Sequence, residues 1–256
     1  MRFTVDPELE LFAESVRAAI GGWEAPLEPV FGVWQDDRDE PLAARLADVG
    51  WAELWTDPAL LGPAIAGGIE LGRAVAPLCL VDDATLGGPL AVDGRVRHGE
   101  GRVDGGEREP TLDGTGTVRG VASSAAPNPE RLPVWGAVTL AYLAGLADGA
   151  LAKAVEHARS REQFGAPLAA LPAVQARLAD AALARDGLVL CAWAAPDAGF
   201  PAATLAWAGG SCREVTAHVQ QVHGGVGFAL ESGIHGYYRR AKSVQVWVDA
   251  LLRTLA

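Results

Sequence analysis

The 256-residue chain is 50% hydrophobic and 21% charged, with a formal net charge of -11. That balance belongs to a folded globular protein long enough for a real core, which excludes wholesale disorder. An acidic chain without a basic stripe also argues against a nucleic-acid partner, because phosphate backbones repel it.

Residues 6 to about 75 read as helical. Asp6 caps a helix with Pro7 at its first position, and Leu9, Phe12, Val16 and Ile20 recur on one face until Gly21-Gly22. A second helix is expected over Glu40 to Val49, before Gly50, and a third from about Pro63 to Val75. From Leu78 to Pro133 glycine, proline and aspartate crowd in and the helical period is lost. Leu90 to Val92 and Arg95 to Arg97 flank Asp93-Gly94, a hairpin signal, and Thr115 to Val121 reads as a strand. This stretch is expected to form a small, irregular β region. Helices return as Val134–Arg159, Ala173–Ala195, Ala202–Val222 and Tyr237–Leu255, a four-helix bundle. The division is therefore 1–77 helical, 78–133 a reduced β segment, and 134–256 the bundle.

The apolar run Val134 to Ala147 covers only about half to two-thirds of a membrane span and reads as a core helix. Cys79, Cys191 and Cys212 form neither a zinc pattern nor an even disulfide set. The first residues turn acidic at once with no apolar signal core, so a cytoplasmic location is expected.

Two clusters go beyond a plain bundle. The first is Arg161-Glu162-Gln163-Phe164-Gly165, followed by Ala173-Val174-Gln175 and Leu178-Ala179-Asp180. The second is Gln221-Val222-His223-Gly224-Gly225-Val226-Gly227-Phe228, followed by Arg239-Arg240-Ala241-Lys242. An arginine fork at a helix end suits a pyrophosphate, and paired glycines let backbone amides face an anion or a ring edge. Taken alone, Arg161 also fits a surface salt bridge with Glu162 or Asp180, and Gly224-Gly225 a plain helix end.

In order and spacing the two clusters resemble the C-terminal helical domain of acyl-CoA dehydrogenases: R-x-x-F-G, A-x-Q-x-x-L-A-D, Q-x-x-G-G-x-G-[FY], then R-D-A-K. The resemblance is clear from Trp135 to Val246 and fainter through Leu71-Gly72-Arg73-Ala74-Val75-Ala76-Pro77. It implies a mainly α acyl-CoA dehydrogenase-like fold and an FAD cofactor. Arg161 matches the pyrophosphate arginine, Gln163, Phe164 and Leu168 match positions on the dinucleotide, Gln221 matches a contact to its adenosine half, and Gly224 and Gly225 match the glycine turn that suits a close backbone approach. In that family these positions chiefly touch the FAD of the neighbouring subunit.

Other family features are missing. The usual base, the glutamate of I-Y-E-G-T, aligns with Val248, which cannot take a proton. The alternative base position falls near Trp135-Gly136, again without a carboxylate. Asp249 and Glu130 are displaced candidates, whereas Glu162 and Glu231 match no base position. The middle segment is too short to grip a flavin unaided. The resemblance therefore implies a base-lacking subunit that pairs with a full-length acyl-CoA dehydrogenase, as α2β2, and completes the partner's FAD site. Such heterotetramers resemble those of bacterial sterol breakdown. The alternatives are a self-sufficient homo-oligomeric flavoenzyme using Asp249, or a flavin-free structural partner.

Overall fold

The computed structural model describes residues 6–23, 40–86, 91–92, 95–96, 108–110, 117–120 and 128–255. Helix α1 (Pro7–Ile20) begins as expected: the Asp6 carboxylate accepts the Glu8 amide at 2.9 Å and Pro7 occupies the first turn. Helix α2 covers Glu40–Asp48 and α3 covers Leu61–Arg73. The expected β region starts later than the sequence indicates, because Cys79–Leu86 forms a further helix, α4. Leu78 to Asp82 are all buried, so no polar face betrays the helical period.

The middle segment supplies a four-stranded antiparallel sheet in the order β1-β2-β4-β3. Its strands are β1 (Ala91–Val92), β2 (Arg95–Val96), β3 (Arg108–Pro110) and β4 (Thr117–Gly120). Val92 pairs with Arg95 across a two-residue connection, the hairpin anticipated at Asp93-Gly94. Those two residues lie outside the described ones.

Helices α5 (Leu132–Ser160), α6 (Pro172–Ala194), α7 (Ala202–His223) and α8 (Ile234–Leu255) follow as a bundle, with ends shifted by up to three residues from the pattern. By length and composition α5 would cross a membrane, but 83% of its most apolar window is buried inside the protein, which makes it the core helix. Its first half packs along α3 through glycine. A Cβ at Gly145 would lie 1.9 Å from the Ile69 carbonyl oxygen, and one at Gly72 2.0 Å from that of Tyr142. Backbone therefore meets backbone, and the helices of both terminal regions share one apolar core.

Helix α3 ends with the Ala76 amide on the Leu71 carbonyl and the Val75 amide on that of Gly72, a Schellman-type end. Val75 holds the left-handed position at φ 57°, where glycine is usual. The Tyr142 hydroxyl, donating to the Ala76 carbonyl at 2.7 Å, and that of Tyr237, donating to Arg73 at 2.9 Å, pin the turn. Burial pushes the Tyr237 phenol up to about 12. An ion-pair chain laces the same region. Glu70, buried, accepts two hydrogen bonds from Arg17 at 2.9 and 3.0 Å and a third from Arg73, and Arg73 continues to Asp148 at 2.7 Å.

Of the tryptophans, Trp51 is core and donates to the Leu80 carbonyl at 3.0 Å, whereas Trp55 lies under the Arg131 guanidinium, 3.8 Å from its ring centre. Cys212 is a buried thiol whose ionisation burial opposes.

Candidate functional site

The first cluster begins where α5 stops. Arg161 turns to extended backbone and donates its amide to the His157 carbonyl at 2.8 Å. The chain then doubles back in a short hairpin, β5 (Glu162–Gln163) against β6 (Ala166–Pro167). The Leu168 amide closes the hairpin on the Arg161 carbonyl at 2.8 Å. Phe164 and Gly165 form the two-residue tip with φ of 56° and 79°. Two positive φ values are what a type I′ hairpin turn demands. For a bulky residue that backbone costs about 1–3 kcal/mol. Phe164 is 91% exposed, so no packing within the chain offsets the strain. Arg161 and Gln163 are exposed beside it, while Leu168 is half-buried against the core.

The second cluster follows α7. Gly224, at φ 61° and ψ -140°, has a backbone open to glycine almost alone. A Cβ at Gly224 or Gly225 would meet nothing within 4 Å. The close approach read from the sequence is at Gly227, where a Cβ would lie 2.7 Å from the Gln220 carbonyl oxygen. Gln221 is exposed, and the neighbouring Gln220 amide is the inward one, donating to the Gly227 carbonyl at 3.3 Å. Val226, Phe228 and Leu230 leave an exposed apolar rim beyond the turn.

The imidazoles of His157 and His223 stack with ring centres 4.4 Å apart and planes 23° from parallel, which ties the end of α5 to the end of α7. The His223 Nδ1 faces the Val219 carbonyl at 2.8 Å and so carries the proton. Burial, the neighbouring His223 and the Arg161 guanidinium hold His157 below the ordinary histidine range. No sequence pattern joined these histidines, 66 positions apart, because only packing makes them neighbours.

The base positions lie elsewhere. Residues 246–250 are inside the continuous helix α8, and Val248 is 1% exposed. Asp249, one position along, is half-buried, and the helical twist turns it about 100° away from Val248. Glu130, Glu162 and Glu231 are exposed. At the start of α5 the structure brings in a carboxylate the sequence could not place there: Asp82 of α4 accepts the Trp135 indole N–H at 3.0 Å, both fully buried. Gly136 beside it is closed by Pro201, 2.8 Å from where a Cβ would sit. Pro172 is accommodated in the first turn of α6, where its missing N–H costs nothing. In the A-x-Q motif, Gln175 donates to the Ala169 carbonyl at 2.8 Å.

Residues 130–248, which contain both clusters and α5 through most of α8, match the protein family described as acyl-CoA dehydrogenase, C-terminal domain. That stretch is similar to the C-terminal domain of acyl-CoA dehydrogenases. A stretch of 116 residues is 33% identical to probable acyl-CoA dehydrogenase FadE25 of Mycobacterium tuberculosis, covering 42% of this chain and 30% of that protein. A stretch of 111 residues is 33% identical to the mitochondrial short-chain specific acyl-CoA dehydrogenase of Bos taurus, covering 40% and 27%. The match thus spans under a third of these relatives' length. The acyl-CoA dehydrogenase fold extends further. Butyryl-CoA dehydrogenase from Megasphaera elsdenii superposes with a TM-score of 0.74 at 15% identity, over 97% of this chain and 96% of that one. The ChsE4–ChsE5 complex from Mycobacterium tuberculosis gives 0.72 at 18% identity, over 100% and 97%. A variant of the Tcur3481–Tcur3483 steroid ACAD gives 0.72 at 22%, over 98% and 97%.

Proposed function

We propose that this chain is the non-catalytic member of a heteromeric acyl-CoA dehydrogenase and completes the FAD site of a full-length partner subunit. FAD, when bound, supplies the hydride acceptor for α,β-desaturation of an acyl-CoA thioester. One contrast carries the reading: a strained, fully displayed aromatic tip beside an exposed arginine, against a buried valine where the family keeps its base. Strained backbone survives where function requires it.

The residues present fit one face of a dinucleotide. Arg161 offers a bidentate fork to a pyrophosphate, Gln163 and Gln221 offer exposed amides, and Phe164 offers a ring to pack on. Gly224 and Gly225 leave room for a close approach that nothing among the described residues makes. Leu168, half in the core, supports the hairpin from beneath. Arg161, Gln163, Phe164, Gln221 and Gly225 are exposed, as a contribution to a neighbour's cofactor requires.

Val248 has no proton to exchange, and Asp249 is turned away from its position, so the α-proton would be taken by a carboxylate of the partner. The ChsE4–ChsE5 complex among the fold neighbours supports a two-chain assembly. The steroid ACAD supports, by fold-level analogy alone, a bulky acyl group.

The deciding experiment is to purify the chain alone and co-purified with a full-length acyl-CoA dehydrogenase encoded beside it, measuring native mass and flavin absorbance per chain. A flavin-free chain and a yellow heteromer with about half a flavin per chain support the proposal. One FAD per chain in the isolated protein overturns it and makes Asp249 the residue to test. A colourless complex overturns it in favour of a structural partner.

A further inference from the structure

We infer that the stacked His157–His223 pair is a positioning couple that sets the spacing between the two cofactor-facing motifs. The inference rests on the shared-site reading and adds residues to it that no motif match singles out.

Each ring stands within a turn of a motif. The His157 carbonyl accepts the Arg161 amide at 2.8 Å, which places the ring one helical turn before the arginine. His223 is the last residue of α7, directly before the positive-φ Gly224. Its Nδ1–H is anchored one turn back on the Val219 carbonyl at 2.8 Å, which fixes the ring to its own helix. The rings then meet at 4.4 Å and 23°. Helices α5 and α7 pack together along their length, and Ala154, Ala158, Val219 and Val222 near their ends belong to the buried core. Within four residues of each ring the segment leaves its helix, so the stack ties the two segments beside the motifs.

A site assembled from two segments binds well only if the spacing is set before the ligand arrives. Slack between them must be frozen out on binding. Two imidazolium ions would repel across this distance. Burial, the neighbouring His223 and the Arg161 charge hold His157 below the ordinary range, which favours its neutral form.

The test uses the heteromer co-purified with its full-length partner, stripped of flavin and titrated with FAD by flavin fluorescence, with native mass and thermal unfolding recorded in parallel. His157→Ala and His223→Ala are each expected to weaken FAD retention about tenfold at unchanged native mass. The double variant should lose little more than either single one, because the stack is already gone. His157→Phe, which keeps a stacking ring without a titrating nitrogen, should retain FAD like the wild type. Arg161→Ala serves as the reference. If it releases FAD while the two alanine variants retain it, the positioning role is refuted and the shared site stands. Loss in His157→Phe equal to that in His157→Ala also refutes it. If FAD binds but Arg161→Ala changes nothing, the shared-site reading fails and this inference fails with it.

Discussion

Replacing Gly145 by alanine should force α3 and α5 apart. The new methyl would sit 1.9 Å from the Ile69 carbonyl oxygen, 2.7 Å from its carbon and 2.9 Å from its Cα. Ordinary contact begins near 3.5 Å, so the helices must open locally by about 1.5 Å, and a gap of even 1 Å forfeits up to half of each contact's attraction. The obstruction is backbone, which cannot rotate aside as a side chain can. Alanine returns about 1 kcal/mol of helix propensity. Overpacking costs about 1–3 kcal/mol and more when backbone must move, which leaves a net loss of about 2 kcal/mol. For a chain of this size that lowers the unfolding midpoint by about 4–8 °C. Gly210→Ala in α7 is the matched control, since its nearest neighbour would be the Gln245 amide at 4.0 Å. That substitution should raise the midpoint by a few degrees, from about 0.5–1 kcal/mol of propensity alone. Thermal unfolding followed by far-UV circular dichroism compares both with the wild type. A Gly145→Ala protein that unfolds at or above the wild-type midpoint would refute the backbone-contact argument.

Phe164→Asn should stabilise the chain by about 1 kcal/mol, because asparagine tolerates φ above zero and no packing is lost, and should weaken FAD retention in the heteromer; equal stability and equal retention would contradict both parts. Glu70→Gln should cost about 1–3 kcal/mol in denaturant titrations at constant slope. That is less than for a fully buried pair, since the Arg17 and Arg73 side chains are 50% and 41% exposed and rehydrate. An unchanged midpoint would show that the ion-pair chain carries no stability. His157 and His235 are both held below the ordinary range, by burial first, so the folded protein binds fewer protons than the unfolded one. Their contribution is complete above the unfolded pKa of about 6.5 and is lost as pH falls through it toward the lower folded values. Denaturation midpoints should therefore fall from about pH 7.5 to about pH 5.5, with a shallower slope in His157→Phe; a flat profile would count against this. Val248→Glu should destabilise the protein rather than restore turnover, because it places a carboxylate in the core; activity in the isolated variant chain would overturn that.

The helices were legible because their cause is local. Asp6 with Pro7, the spacing of Leu9, Phe12, Val16 and Ile20, and the terminating glycines act within one or two turns, so α1 begins at the expected residue. The ordered motifs R-x-x-F-G and Q-x-x-G-G-x-G carried the resemblance, since each is a short string legible at fixed spacing. Helix α4 was not legible, because the run Leu78 to Asp82 is buried throughout, which erases the alternation that periodicity depends on. The strain at Phe164 was hidden as well, since the sequence places a phenylalanine but not its φ.

What the sequence by itself determined is the helices other than α4, the bundle the last four form, the acyl-CoA dehydrogenase signature, and a valine, Val248, where the resemblance expects a glutamate. Tertiary structure alone decided how distant residues meet: Gly72 and Gly145 at a backbone crossing, Asp82 beneath Trp135, and His157 on His223. The physical reason is range. Propensity, capping and motif spacing act over a few residues, whereas these contacts join groups 53 to 73 positions apart that only the packed core brings together.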